Sequence, residues 1–382
     1  MKRVSGQFVT SSVASTSVNA FVPYKLPPDN PPLDTAKFSD LNRAAELSLA
    51  RLSGVAGLVP SVNWLLYSAI RKEALLTSQI EGTQASLTDL FDNDAGIRVQ
   101  NTADVEEVSN YLAAFHLVQD HLRSFNGLPI SNRLICDAHR LLMNGVRGGS
   151  KQPGEIRQSQ NWIGGTRPET AIFVPPPPNL LQNLLSDLER FIHQESSSLP
   201  PLVKIALIHA QFETIHPFLD GNGRMGRLLI AALLEDWKLL PEPLIYLSGY
   251  FKANQMEYYR HLSLIRTEGN WESWIEFFLK GVIESSIESE KTIGALAKIV
   301  SEDKRKLLEV NSVNNLSFRL FEMLPMMPRF TIEHVREKLS TTFPTANAAV
   351  KTLEEMNIVV EDRKSTRLNS SHIPLSRMPS SA

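Results

Sequence analysis

The stretch His216 to Arg227, HPFLDGNGRMGR, constrains this chain more than any other. It is preceded by VKIALIHAQFETI, with apolar residues at helical spacing, and followed by LLIAALLEDW, so it reads as a loop between two helices. Gly221 and Gly223 let the backbone bend until successive N–H groups converge at the positive end of the second helix, which makes an anion-binding nest. The segment Gly221, Asn222, Gly223, Arg224, Met225, Gly226 and Arg227 is therefore expected to bind nucleotide phosphates, with Arg224 and Arg227 both reaching them. His216 has the chemistry of a base that takes a proton from an attacking hydroxyl. Asp220 is a hard oxygen ligand suited to one Mg²⁺ bridging phosphate oxygens. Phe218 is read as a core plug that holds the loop.

The same residues resemble the signature of the Fic family, HxFx[DE]GNGRxxR, with no departure at a fixed position. Chance agreement at a given start is on the order of 10⁻⁹. The resemblance implies a mostly helical fold with a β-hairpin flap, catalysis by His216, and transfer of AMP from ATP, with Mg²⁺, to the hydroxyl of a Ser, Thr or Tyr on a target protein. Relatives that transfer phosphate instead carry a lysine where this chain has Gly223.

A second informative stretch is RKEALLTSQIEGTQASLTDLF. Thr77 and Glu81 form an i, i+4 pair on one helical face, with Gly82 directly after. They fit [ST]xxxE[GN], which in the Fic family marks an inhibitory helix, so Thr77, Glu81 and Gly82 are assigned that role, with Glu81 expected to pair with Arg227.

After Gly145 the chain turns Gly- and Pro-rich. RQSQNWIG and AIFVPP flank GTRPET and predict a β-hairpin. It resembles the flap that registers the target segment, with Ile163 and Gly164 in the positions of nucleotide-lining residues and Trp162 read as packing or lining. Tyr258 and Tyr259 match a tyrosine pair that walls the adenine pocket in the family, with two core aromatics as the alternative. His116, His121 and His139 are read as packed or surface histidines, and His209 lacks the further ligands a zinc pair would need.

Elsewhere the readings are coarser. Residues 1 to about 35 are expected to be extended and to wrap a surface; a helix capped by Ser39 or Asp40 follows, then another from about Val62 to Gln79, and Ser131 caps a later one. The net charge of −2 points to no nucleic acid, and the single cysteine, Cys136, lies in an apolar-periodic run and is read as core. With no secretory segment and no bilayer-length apolar run, a cytoplasmic protein without a membrane partner is expected.

The domain plan is an N-terminal helical region over 1–125, a catalytic core over 126–285, and a linker helix with a winged-helix-like module over 286–361. The module is suggested by TANAAVKTLEEMNIV, which resembles a recognition helix entering its wing. It lacks a basic stripe, so DNA is a partner held open but not favoured over protein docking, as is a homodimer. The rival to an adenylyltransferase is a DNA-binding or antitoxin-like regulator whose core only senses ATP. Residues 362–382 match, in one frame, the translation of a sequencing-adapter oligonucleotide, which predicts a native chain cut short near Glu361, a poorly packed tail, and no function for Lys364, Arg367 or His372.

Overall fold

The computed structural model describes residues 3–13, 16–57, 59, 61–145, 151–195, 198–309, 314–362 and 370–372, the backbone alone for 62 and 370–372. The chain is mostly helical, and among the described residues no helix is long and apolar enough to cross a membrane.

It opens on a hairpin. β1 (Gly6–Val13) pairs antiparallel with β2 (Thr16–Pro23), Gly6 opposite Pro23 and Val13 opposite Thr16. The extended character follows from the Val, Thr and Phe content. The pairing adds to the expected surface-wrapping segment, and β2 buries Val18, Ala20, Phe21 and Val22.

Eleven helices then run α1 (Ser39–Ala56), α2 (Val62–Ile80), α3 (Leu87–Asp94), α4 (Thr102–Arg123), α5 (Asn132–Leu142), α6 (Pro178–Ile192), α7 (Pro201–Ile215), α8 (Asn222–Asp236), α9 (Leu247–Ala253), α10 (Gln255–Glu268) and α11 (Trp271–Glu309). Their starts follow local chemistry. Ser131 caps α5 by accepting from the Leu134 N–H, Ser86 and Asp89 close a capping box on α3, and prolines open α6 and α7 where no N–H is needed. The cap of α1 is Phe38, without a side-chain bond, rather than Ser39 or Asp40.

α7 is the central helix. Of its residues only Pro201 and Glu213 fall outside the buried set, which is how a helix apolar all round must sit. One apolar cluster runs from Phe38 to Ile293, so the N-terminal helices and the catalytic region share a core across residue 125. α11 likewise passes through the expected boundary at 285/286 without a break.

A second apolar cluster joins Val300 and Leu307 of α11 to α12 (Asn315–Met323), α13 (Ile332–Lys338) and α14 (Phe343–Glu355), and takes in Trp64 from the start of α2. Beside these helices lie β3 (Arg329–Thr331), β4 (Val360–Glu361) and β5 (Ser370–His372) in the order β3-β5-β4. The tail expected to be unpacked thus supplies the backbone of a middle strand. Main-chain pairing makes few demands on sequence, which is how such a segment takes that place. Lys364 and Arg367 lie outside the described residues.

The segment expected to be a flap hairpin is closed by one antiparallel bridge, Ile163 to Phe173, instead of a ladder. Pro175 to Pro178 have no N–H to extend it, and Gly164 and Gly165 both take left-handed backbone, φ 69° and 74°. The Phe21 N–H of β2 donates to the Val174 carbonyl at 2.9 Å and ties the flap base to the hairpin.

Candidate active site

His216 is the residue that ends α7, in left-handed backbone at φ 49°, ψ 63°. Its Nδ1 is buried without a hydrogen-bond partner, and burial, followed by the nearby Arg157 charge, lowers its pKa to about 3. At neutral pH the ring is therefore an uncharged base. Arg157, 1% exposed, straps the loop in place: its Nε donates to the His216 carbonyl at 2.9 Å and its Nη2 to the Pro176 carbonyl at 2.6 Å. Its own N–H donates to the Pro217 carbonyl at 2.9 Å. Burial lowers the Arg157 pKa to about 10, which leaves it charged. The run GEIRQSQ gave no sign of this role, because a lone arginine in a polar segment has the pattern of a surface residue.

The loop that follows is locked by its own side chains. Asn222 accepts from the Phe218 N–H at 2.9 Å and donates to the Phe218 carbonyl at 2.8 Å. Gly221 caps α8 at φ 76°, a conformation that favours glycine, and Asp220 Oδ1 accepts from its N–H at 2.7 Å. Phe218 is the expected plug, 1% exposed and stacked on the His139 ring at 3.7 Å and 5°. Met225 is 1% exposed, so its side chain belongs to the core.

The two arginines part ways. Arg224, expected to reach phosphate, is paired with Glu107 of α4: Nη1 donates to it at 2.6 Å, Nη2 meets Met143 Sδ at 3.4 Å, and the buried Nε has no partner among the described residues. Arg227 turns to α2, donating from Nε to Thr77 Oγ1 at 2.6 Å and from Nη2 to Glu81 Oε1 at 2.5 Å. Burial opposes the Arg227 charge, but Glu81, Tyr258 and Glu213 push its pKa up. A methyl group on Gly223 would collide with Glu81 Oε1, so the bare glycine is what admits that carboxylate. Gly82 turns the chain away at φ 99°.

Beneath Arg227 lies a carboxylate missed by sequence reasoning. Glu213 Oε1 is buried with no hydrogen-bond partner, and a Cβ on Gly226 would come within 2.6 Å of it. Burial pushes its pKa up to about 7, Arg227 draws it down, and Glu81 pushes it up. His209 is a packing residue: Nδ1–H donates to the Gly226 carbonyl at 3.0 Å, and Nε2 accepts from the Tyr258 hydroxyl at 2.8 Å. That bond and a 1% exposure place Tyr258 in the core, whereas Tyr259 is 47% exposed. Only Tyr259 of the expected pair presents a surface.

At the flap, Ile163 exchanges backbone hydrogen bonds with Phe173 at 2.8 and 3.1 Å, and the Ile172 side chain covers Gly164. Trp162 is 37% exposed. Cys136 is half-buried, its thiol pKa raised by burial.

Among the described residues no three His, Cys, Asp or Glu side chains form a group that could hold a metal by themselves. Asp220, the expected Mg²⁺ ligand, is a single carboxylate, which would hold the ion only with waters and phosphate oxygens completing its shell. Its Oδ1 is fixed by the Gly221 N–H, and its Oδ2 lies 3.5 Å from Lys151 Nζ, a position already held by a cation.

Residues 39–120 match the family model described as Fic/DOC family N-terminal, and residues 129–234 match the Fic/DOC family model. The Drosophila yakuba protein adenylyltransferase Fic is 29% identical over 199 residues, 49% of this chain and 36% of that protein. The Drosophila ananassae protein of the same name is 34% identical over 155 residues, 39% of this chain and 27% of that protein. The chain thus spans about a third or less of these relatives' length. A Fic family protein from Desulfovibrio desulfuricans G20 superposes with a TM-score of 0.57 at 21% identity, over 90% of this chain and 97% of its own. Fic-1 of C. elegans gives 0.52 at 22% identity, over 69% and 75%. The two matched segments, the loop geometry and the shared fold lead to one conclusion: this chain belongs to the Fic/DOC family.

Proposed function

We propose that this chain moves AMP from ATP to Ser, Thr or Tyr hydroxyls of target proteins, and that Glu81 holds it in a state of low activity. The observation that carries the reading is His216 in left-handed backbone at the end of α7, followed within the same loop by Asp220 and the glycine-capped start of α8. His216 takes the proton of the target hydroxyl as its oxygen bonds to the α-phosphorus. The bond from that phosphorus to the bridging oxygen breaks, and pyrophosphate leaves with the electron pair. The α8 backbone N–H groups and Arg227 hold the phosphates and stabilise charge on the leaving group. Mg²⁺ held by Asp220 would neutralise the polyphosphate. The adenine lies toward Tyr259, Ile163 and Gly164. A cytoplasmic setting rich in ATP suits this chemistry.

Glu81 supports the second half of the reading. While it occupies Arg227, a γ-phosphate cannot, and a triphosphate seated elsewhere does not present its α-phosphorus in line with the hydroxyl. The test is label transfer. Label on the α-phosphate of ATP should reach protein, first the chain itself, and His216→Ala should abolish this while ATP still binds. Transfer of γ-phosphate label would refute the adenylyl reading.

A further inference from the structure

Sequence spacing allows His139 to be a packed or a surface histidine, and its surroundings say more. It is 0% exposed on α5, and both ring nitrogens are used with opposite polarity. The Gly154 N–H donates to Nδ1 at 2.8 Å, which puts the ring proton on Nε2, and Nε2–H donates to the Asp220 carbonyl at 3.0 Å. The ring face lies on Phe218. Two in-plane bonds and one stacked face leave the imidazole no freedom to turn. Gly221 closes the arrangement, since a Cβ there would come within 3.2 Å of Nε2.

A ring serving only to fill space would not need these bonds. Phenylalanine would stack as well on Phe218, but it would leave the Gly154 N–H and the Asp220 carbonyl without their partner, which is costly for buried polar groups. Asp220 is held at two points: its carbonyl by His139 and its Oδ1 by the Gly221 N–H. Both contacts bear on where the carboxylate stands.

We infer that His139 is a positioning residue for the metal-binding carboxylate: its Nε2–H fixes the Asp220 backbone and so sets where the carboxylate meets a divalent cation. This rests on the reading of Asp220 as the Mg²⁺ ligand. Groups that hold a metal ligand from behind typically contribute about tenfold or more to metal affinity.

Two substitutions separate the two bonds. The amide nitrogen of glutamine reaches the place of Nε2 and can donate to the Asp220 carbonyl, while the amide oxygen of asparagine falls near Nδ1 and can accept from Gly154. The full chain carrying His216→Ala, which prevents turnover, is titrated with ATP by calorimetry over a range of MgCl2. His139→Asn should raise the Mg²⁺ concentration for half-maximal ATP binding by about tenfold, with metal-free ATP binding unchanged. His139→Gln should stay within about twofold of the parent. An unchanged Mg²⁺ requirement in the asparagine variant would overturn the inference, as would equal loss of ATP binding with and without Mg²⁺ in both variants. Should the asparagine variant not fold, a tenfold rise in the glutamine variant overturns it alone. Asp220→Asn is the separate control: if it leaves the Mg²⁺ requirement where it was, the assignment of Asp220 fails first and takes this inference with it.

Discussion

Arg224 and Arg227 lie three residues apart on α8, and each is met by a carboxylate from an N-terminal helix, yet the two ion pairs are built differently. Arg224 and Glu107 are both sealed, with side-chain exposures of 4% and 7%. Arg227 is as deeply buried at 2%, but its partner Glu81 is 34% exposed and stands at the end of its helix. Separating two sealed charges leaves both desolvated and unpaired. Glu81 can swing into water and be rehydrated, leaving Arg227 with its bonds to Thr77. One motif thus carries two arginines in unlike settings, one in a sealed pair and one whose carboxylate partner reaches solvent.

The sharpest way to break this comparison is to remove each acid in turn. Glu107→Ala should destabilise the chain by about 3–5 kcal/mol without raising label transfer, measured by denaturant unfolding beside the transfer assay. Activation by that variant would show that both arginines are locks. Glu81→Gly should cost less stability and raise transfer by about a hundredfold. An unchanged rate would remove the inhibitory role of Glu81 and leave the catalytic assignment intact. Gly223→Ala puts a methyl group where Glu81 Oε1 now lies and should give a smaller activation, roughly tenfold. A loss of activity there would mean that the nest cannot tolerate the side chain even when Glu81 has moved. The smallest effect concerns the carboxyl under Arg227. Burial pushes the Glu213 pKa up to about 7 in the folded chain against ~4.3 when unfolded, so its destabilising effect grows as pH rises across that interval and is absent below it. Glu213→Gln should therefore raise the melting temperature by about 2–4 °C at pH 8 and by progressively less toward pH 4. A gain independent of pH would place its origin in packing rather than charge.

The loop was legible from sequence because its chemistry is contiguous: base, acid, glycines and arginines lie within one turn and a helix start. The Arg227–Glu81 pair was legible across 146 residues only because Glu81 sits in a short pattern of its own. Glu107 and Arg224, 117 residues apart, had no such marker, and one glutamate among the acids of α4 resembles a solvated face until its burial is known. His139 left a faint trace. Ile135 and Leu142 flank it at helical spacing, which puts it on the buried side of α5, but spacing cannot say what its nitrogens hold. Tyr258 and the flap went the other way: the residues were found, yet His209 draws one tyrosine into the core, and prolines stop the ladder after one bridge.

α2 remains, a rod about 28 Å long at 1.5 Å per residue. Trp64 at its first turn is seated in the apolar cluster of the C-terminal module, while Glu81 closes its far end. A lever of that length turns small angles into useful displacements: a tilt of about 5° around its middle moves either tip by about 1 Å, comparable to the slack in a short hydrogen bond. Rocking α2 at the seat of Trp64 would thus shift Glu81 against Arg227 from the far end of the same helix.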